Sequence, residues 1–255
     1  MSIPLMFQKR IDEVRNDFIN GSSVIARNSL KILSDAVQYY DFSQKYSVLI
    51  IAQELLTAKP QMAAQINIMK IFMNEFPKFS NYHDITMLIN KLESDMKIAT
   101  EKSKSLCLET LFDEDKLSVI TCSFSSNVFD ILSKSGKITS IFILDSIWKN
   151  IDFGKMWLEK LSEFNVKCNI ITLENNMPKI NFAFIGADAV KQNGDIINGY
   201  PSMLLVQKMK ENACPVYVIS ESFKYSDDLT LTDGFDCIPG NLISGIFSDK
   251  IFSTG

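Results

Sequence analysis

"LSVITCSFSSNVFDILSKSGKITSIFIL", residues 117–144, decides the fold. It opens on a short apolar, β-branched run, "LSVIT" (117–121), and closes on another, "TSIFIL" (139–144). Between them "SSNVFDILSKS" has the spacing of a helix. The alternation continues downstream. "CNIIT" (168–172), "FAFIG" (182–186) and "PVYVIS" (215–220) are further strand candidates, and "FGKMWLEKLSEF" and "SMLLVQKMKEN" are helix candidates. Only "LENNMPKI", before "FAFIG", is too short for a full crossover helix. Apolar strands alternating with helices predict a mainly parallel sheet covered on both faces. Right-handed crossovers then give a Rossmann-like, doubly wound α/β arrangement, with ligands beyond the carboxyl ends of the strands.

The chain upstream has a different period. "FQKRIDEVRNDFI" places Phe7, Ile11, Val14 and Phe18 on one helical face. "SSVIARNSLKILSDAVQYY" repeats the pattern after Gly21, with Ser22 or Ser23 as its cap. "SVLIIAQELLTA" is stopped by Lys59-Pro60, and "QMAAQINIMKIFMNEF" follows. A long helix from about Ile85 to Phe112 takes Asp84 as its cap. Met62, Met69 and Met73 fall at helical spacing and read as core filler. The expected organisation is a helical N-terminal domain, 1–112, followed by a Rossmann-like α/β domain, 113–255.

Composition narrows the function. The 255 residues are 46% apolar, 22% charged and carry a net charge of −4, so no direct nucleic-acid partner is expected. Five scattered cysteines, without a C-x-x-C pair, and a single histidine give no metal-ligand cluster. No G-x-G-x-x-G or Walker lysine is present, and no cofactor is expected. The odd cysteine count suits a reducing cytosol. The start shows no signal-peptide pattern and no run is long enough for a membrane span, so a cytoplasmic, soluble protein is expected.

Three strand ends can hold chemistry. In "VITCSFSSNVFD", Ser123, Ser125 and Ser126 lie between a strand and a helix start, as either an anion cradle or a serine-rich cap. Cys122 there is either a nucleophile or packing. In "FILDSIWKN", Asp145 and Ser146 follow a strand and Lys149 stands nearby. In "NFAFIGADAVKQNGDIING", Asp188 sits two residues beyond a strand, as either an acid/base or a capping carboxylate, and Asn193-Gly194 reads as a turn.

"IGADAVKQNGDIIN", "CPVYVISESFKY" and "FDCIPGNLISGIFSD" together resemble one family. It comprises the alpha, beta and delta regulatory subunits of translation initiation factor 2B, their archaeal relatives, and two sugar-phosphate isomerases. Those isomerases act on methylthioribose 1-phosphate and ribose 1,5-bisphosphate. The family pattern, roughly G-A-D/E-x-(V/I)-x-x-N-G-x-(I/V)-I-N-K-I-G-T, is matched from Gly186 through Asn198, and "ESFKY" is most similar to the alpha subunit. "NGSSVIARNSLKIL" and "LLTAKPQ" echo the helical domain more loosely.

The resemblance implies a helical domain followed by a Rossmann-like one, commonly paired through the latter as a homodimer or larger homo-oligomer. It implies initiation factor 2, chiefly its alpha subunit, as partner, and a sugar phosphate or nucleotide as a conceivable ligand. The isomerases move protons between C1 and C2 with an aspartate and a cysteine. The aspartate falls on Asp188. The cysteine position is Ser123, with Cys122 one residue early and, on an extended segment, facing the other way. The arginine of an E-T/S-R-P loop is Ile147, the lysine after Asn198 is Gly199, and R-G-A has become Asn20-Gly21-Ser22. These losses predict a non-catalytic, factor-2B-like regulatory or scaffold protein. The alternative is an isomerase using Asp188 and Cys122. In either case Ser123, Ser125, Ser126 and Asn198 are the expected ligand-binding residues.

Overall fold

The computed structural model describes residues 3–111, 116–164, 166–173 and 177–250. Five helices come first: α1 (Leu5–Asn16), α2 (Ser22–Tyr39), α3 (Tyr46–Ala58), α4 (Ala63–Glu75) and α5 (Tyr82–Leu111). Phe7, Ile11 and Val14 of α1 are buried as their spacing requires. Phe18 is not on that face, because the chain leaves the helix at Asn16. Asp17 turns it, its Oδ1 accepting the N–H groups of Ile19 (3.0 Å) and Asn20 (2.9 Å).

Two expected caps are corrected. Gly21 is the N-cap of α2, while the serines after it make long-range bonds. Ser22 Oγ accepts the Ala64 N–H (3.1 Å), and Ser23 Oγ donates to Glu221 (3.1 Å). Asp84 lies inside the first turn of α5. Asn81 caps that helix, its Oδ1 accepting the Asp84 N–H at 2.9 Å.

The second part is a six-stranded parallel sheet. Its strands are β1 (Leu117–Thr121), β2 (Ile138–Leu144), β5 (Lys167–Ile171), β6 (Phe182–Gly186), β9 (Val216–Ile219) and β11 (Gly245–Phe247). They lie in the order β11-β9-β6-β1-β2-β5. The chain runs from β1 outward to β5 and returns to β6 on the other side of β1. The carboxyl ends of β1 and β6 are therefore the switch point where such sheets bind ligands.

Helices α6 (Ser126–Lys134) and α7 (Phe153–Leu161) cover one face, where Val128, Ile131, Leu132, Trp157 and Leu161 join β1, β2 and β6 in one core. Each such side chain contributes about 1.5–3 kcal/mol by burial. Helix α8 (Ser202–Glu211) covers the other face through Leu205, Val206 and Met209. Helix α5 serves two cores. Ile85 to Met96 pack among the N-terminal helices, and Cys107 packs on the sheet. The expected domain boundary at 112/113 falls outside the described residues.

Two small elements had no periodic signal. A hairpin, β3 (Ile147–Trp148) with β4 (Ile151–Asp152), follows β2. A three-stranded antiparallel sheet joins β7 (Ala189–Val190), β8 (Ile196–Gly199) and β10 (Phe235–Ile238). Asn193 and Gly194 form the β7–β8 turn, as expected.

The switch point is tightly packed. A Cβ on Gly186, at the end of β6, would lie 2.6 Å from Ser125 Oγ and 2.8 Å from Ser125 Cβ. Gly186→Ala is therefore expected to cost about 1–3 kcal/mol by overpacking, read as a lower urea midpoint. Adding Ser125→Gly should restore most of that loss. No recovery in the double variant would contradict this contact.

Candidate functional site

One cavity opens at the switch point. Its walls include Asn20, Gly21 and Ser23 from the start of α2, Ser123 to Asn127 after β1, Asp188 after β6, Asn198 and Gly199 of β8, and Lys224. About 60 Å³ is open inside it. Five residues singled out by sequence, Ser123, Ser125, Ser126, Asp188 and Asn198, thus meet on one space.

Asp188 is fixed at its backbone and its side chain. Its N–H donates to Ile197 O (2.8 Å), and its carbonyl accepts the Ala63 N–H (3.0 Å). Its Oδ1 accepts the N–H of Ser22 at 3.1 Å, at the first turn of α2. Burial pushes the Asp188 carboxyl above the ordinary carboxylate range, Glu221 adds to the rise, and Lys224, the Ser22 N–H and Lys59 oppose it.

Cys122 is not in the cavity. Cys122 keeps the alternation of β1, its side chain joining that of Ile120 in one core. The Cys122 thiol lies in the apolar core under α8, 3.3 Å from Ser202 Oγ, and burial pushes it up to about 12. Ser123, one residue on, adopts a left-handed φ of 48° and faces the cavity. Its carbonyl accepts the Trp157 indole N–H at 2.7 Å.

The serine-rich loop caps α6 and lines the cavity. Ser125 is the N-cap of α6, accepting the Val128 N–H at 3.5 Å, and Ser126 begins the helix on the cavity wall. Asn198 donates to Ser202 Oγ at 2.7 Å. Ile147, at the resemblance's arginine position, is exposed and takes no part in the lining.

Sequence reasoning missed three groups. Glu221 and Lys224, three residues apart after β9, form a buried ion pair of 2.9 Å. Glu221 Oε1 also accepts from Ser23 Oγ (3.1 Å), Thr100 Oγ1 (2.9 Å) and Asn127 Nδ2 (2.7 Å). Although burial opposes it, Lys224 and these donors hold the Glu221 carboxyl down at about 2. The third is Lys59, which is buried, donates to Asp17 O (2.5 Å) and sits 4.3 Å from the Phe18 ring centroid. Burial pushes its ammonium pKa down, against the pull of Asp17. The Glu–Lys spacing in "ESFKY" and a lysine beside Pro60 were the available signals.

Comparison with known proteins settles the family. Residues 18–235 match the model of the initiation factor 2 subunit family. The chain belongs to that family. A Pyrococcus furiosus protein named "Putative translation initiation factor eIF-2B subunit 2-like" is 26% identical over 240 residues, covering 89% of this chain and 82% of its own. The solved translation initiation factor eIF-2B of Pyrococcus horikoshii OT3 superposes with a TM-score of 0.83 at 20% identity, covering 97% of this chain and 96% of its own. The 5-methylthioribose 1-phosphate isomerase of Pyrococcus horikoshii OT3 superposes with a TM-score of 0.71 at 13% identity, covering 97% and 85%. Members of this fold thus include a factor-2B protein and an isomerase, and the residues at the switch point must distinguish them.

Glu221 dictates an acid response. Its folded pKa of about 2 lies below the ordinary 4.5. Its stabilisation is therefore full above 4.5 and is lost as the pH falls toward 2, about 3 kcal/mol in all by linkage. Glu221→Gln should cost about 3–5 kcal/mol near neutrality, by leaving Lys224 buried and unpaired. It should also flatten the fall of the urea midpoint across that window. A slope equal to the wild type's would contradict this role.

Proposed function

We propose that this chain is a non-catalytic, factor-2B-like regulatory or scaffold protein that interacts with initiation factor 2, chiefly its alpha subunit. In solution it forms a homodimer or larger homo-oligomer through its sheet-bearing part, and it works in the cytoplasm. Its cavity holds a small ligand, a sugar phosphate or nucleotide, without turning it over.

One observation carries the reading: among the described residues, neither a thiol nor an imidazole lines the cavity with Asp188. Moving a proton between adjacent carbons takes one group to remove it and one to return it. The thiol that would partner Asp188 is on the other side of β1, protonated up to about 12. Ser123 occupies the matching place, and a hydroxyl without a neighbouring base is a weak acid/base. His83 is exposed on α5. Lys224 faces the cavity, but its charge is committed to Glu221.

The competing reading, an isomerase with an altered site, draws on Asp188, whose raised pKa suits proton transfer. Two measurements decide. Purified protein is expected to retain initiation factor 2 in a pull-down at micromolar concentrations, and no retention would sink the partner. Assays with ribose 1,5-bisphosphate and methylthioribose 1-phosphate are expected to show no turnover. Turnover that disappears in Asp188→Asn would establish the isomerase instead.

A further inference from the structure

The cavity is small for the sugar phosphate or nucleotide proposed above. Its roughly 60 Å³ is well below the ~300–1,000 Å³ of ordinary small-molecule sites. Seating such a molecule fully inside requires part of its wall to move.

Most of the wall is fixed. The Ser123 carbonyl is tied to Trp157, both sides of the Asp188 peptide unit are hydrogen-bonded, and Asn198 is held by Ser202. Glu221 holds Ser23, Asn127 and Lys224. The β3–β4 hairpin is different. It has two residue pairs, Ile147 with Asp152 and Trp148 with Ile151, and its turn residues Lys149 (φ 46°) and Asn150 (φ 65°) are both left-handed without being glycine. So short a ladder is marginal by itself. Side chains hold it against the cavity.

Trp148 makes those contacts. Its indole lies on the bare backbone of Gly234, where a Cβ would fall 2.4 Å from Cε2 and Cζ2. The Phe18 ring meets it edge-on, with centroids 5.2 Å apart at 70°. The Lys149 ammonium lies 3.8 Å from the Phe18 centroid and 4.4 Å from the Trp148 centroid, pinning the two rings together. Trp148, Phe18 and Gly234 all line the cavity.

We propose that the β3–β4 hairpin is the gate of this cavity and that Trp148 is its latch, setting the size of molecule admitted. The hairpin pairs with no other described strand, so swinging it out as a unit keeps its two internal pairs and breaks the ring contacts, while the polar floor stays in place. The gate gains a purpose only if the cavity holds a ligand, as proposed above, but its opening can be measured without one.

The chain has two tryptophans, so Trp148→Phe and Trp148→Ala each leave Trp157 as sole reporter. Trp157 is buried beneath the floor, bonded to Ser123 O, with its ring 5.4 Å from that of the lining Phe124. Acrylamide, a small neutral quencher, is the probe. Trp148→Phe keeps a ring in the latch and should protect Trp157. Trp148→Ala should raise the quenching constant several-fold with an unchanged circular dichroism spectrum. Lys149→Ala, made in the Trp148→Phe background on an exposed residue, should give an intermediate value. Equal quenching in all three folded variants overturns the gate. If Trp148→Ala does not fold, the Lys149→Ala comparison decides alone, and no increase there overturns it. Failure to bind initiation factor 2 would leave this result untouched, so the two proposals fail separately.

Discussion

The structure depends on burying the Glu221 carboxylate. A charge removed from water costs several kcal/mol unless it is paired and its lone pairs are filled. Here the filling groups come from different parts of the chain: Ser23 on α2, Thr100 on α5, Asn127 on α6, and Lys224 one turn away. Those groups hold the N-terminal helices against the sheet in one relative placement. The neighbouring backbone reinforces it. Ser103 of α5 donates to Ser220 O at 3.2 Å, and Asn67 of α4 donates to Phe223 O and Tyr225 O at 2.9 and 3.0 Å. The segment from Ser220 to Tyr225 is the seam between helices and sheet.

The character of the cavity follows from that seam. Lys224, a cation on its wall, is already balanced by Glu221, so it offers an incoming phosphate less than a free ammonium would. Asp188, close enough to feel both, is pushed toward its protonated form by burial. Also facing the space are serine hydroxyls, the side-chain amides of Asn20, Asn127 and Asn198, and the rings of Phe18, Phe124, Trp148 and Tyr200. Among the described lining residues there is neither a thiol nor an imidazole, and Cys122 points into the core under α8.

Much of this was legible in the sequence, and the illegible parts share a cause. "LSVIT" and "FAFIG" are strands over the residues read, since apolar runs buried on both faces carry their own signal. Cys122 faces away from the cavity as strand alternation predicts, whereas Ser123 reaches it from a bend with a left-handed φ. Phe18 was misplaced because helical spacing continues past Asn16 while Asp17 stops the helix. Ser22 and Ser23 were read as caps because their true partners are remote, 42 and 198 residues away. Glu221 was missed for the same reason, since Ser23, Thr100 and Asn127 lie 198, 121 and 94 residues from it. The β3–β4 hairpin left no trace, since two-residue strands have no period and its turn contains no glycine.

The central claim is that Asp188 lacks its thiol because Cys122 lies in the core under α8. Alkylation by iodoacetamide at about pH 8, read cysteine by cysteine by mass spectrometry, tests this directly, since only accessible thiolate reacts. The account predicts that Cys122 of the native protein stays unlabelled while the partly exposed Cys237 is modified, and that Cys122 reacts only after unfolding. Labelling of native Cys122 as fast as Cys237 would place the thiol within reach of the cavity and contradict the account.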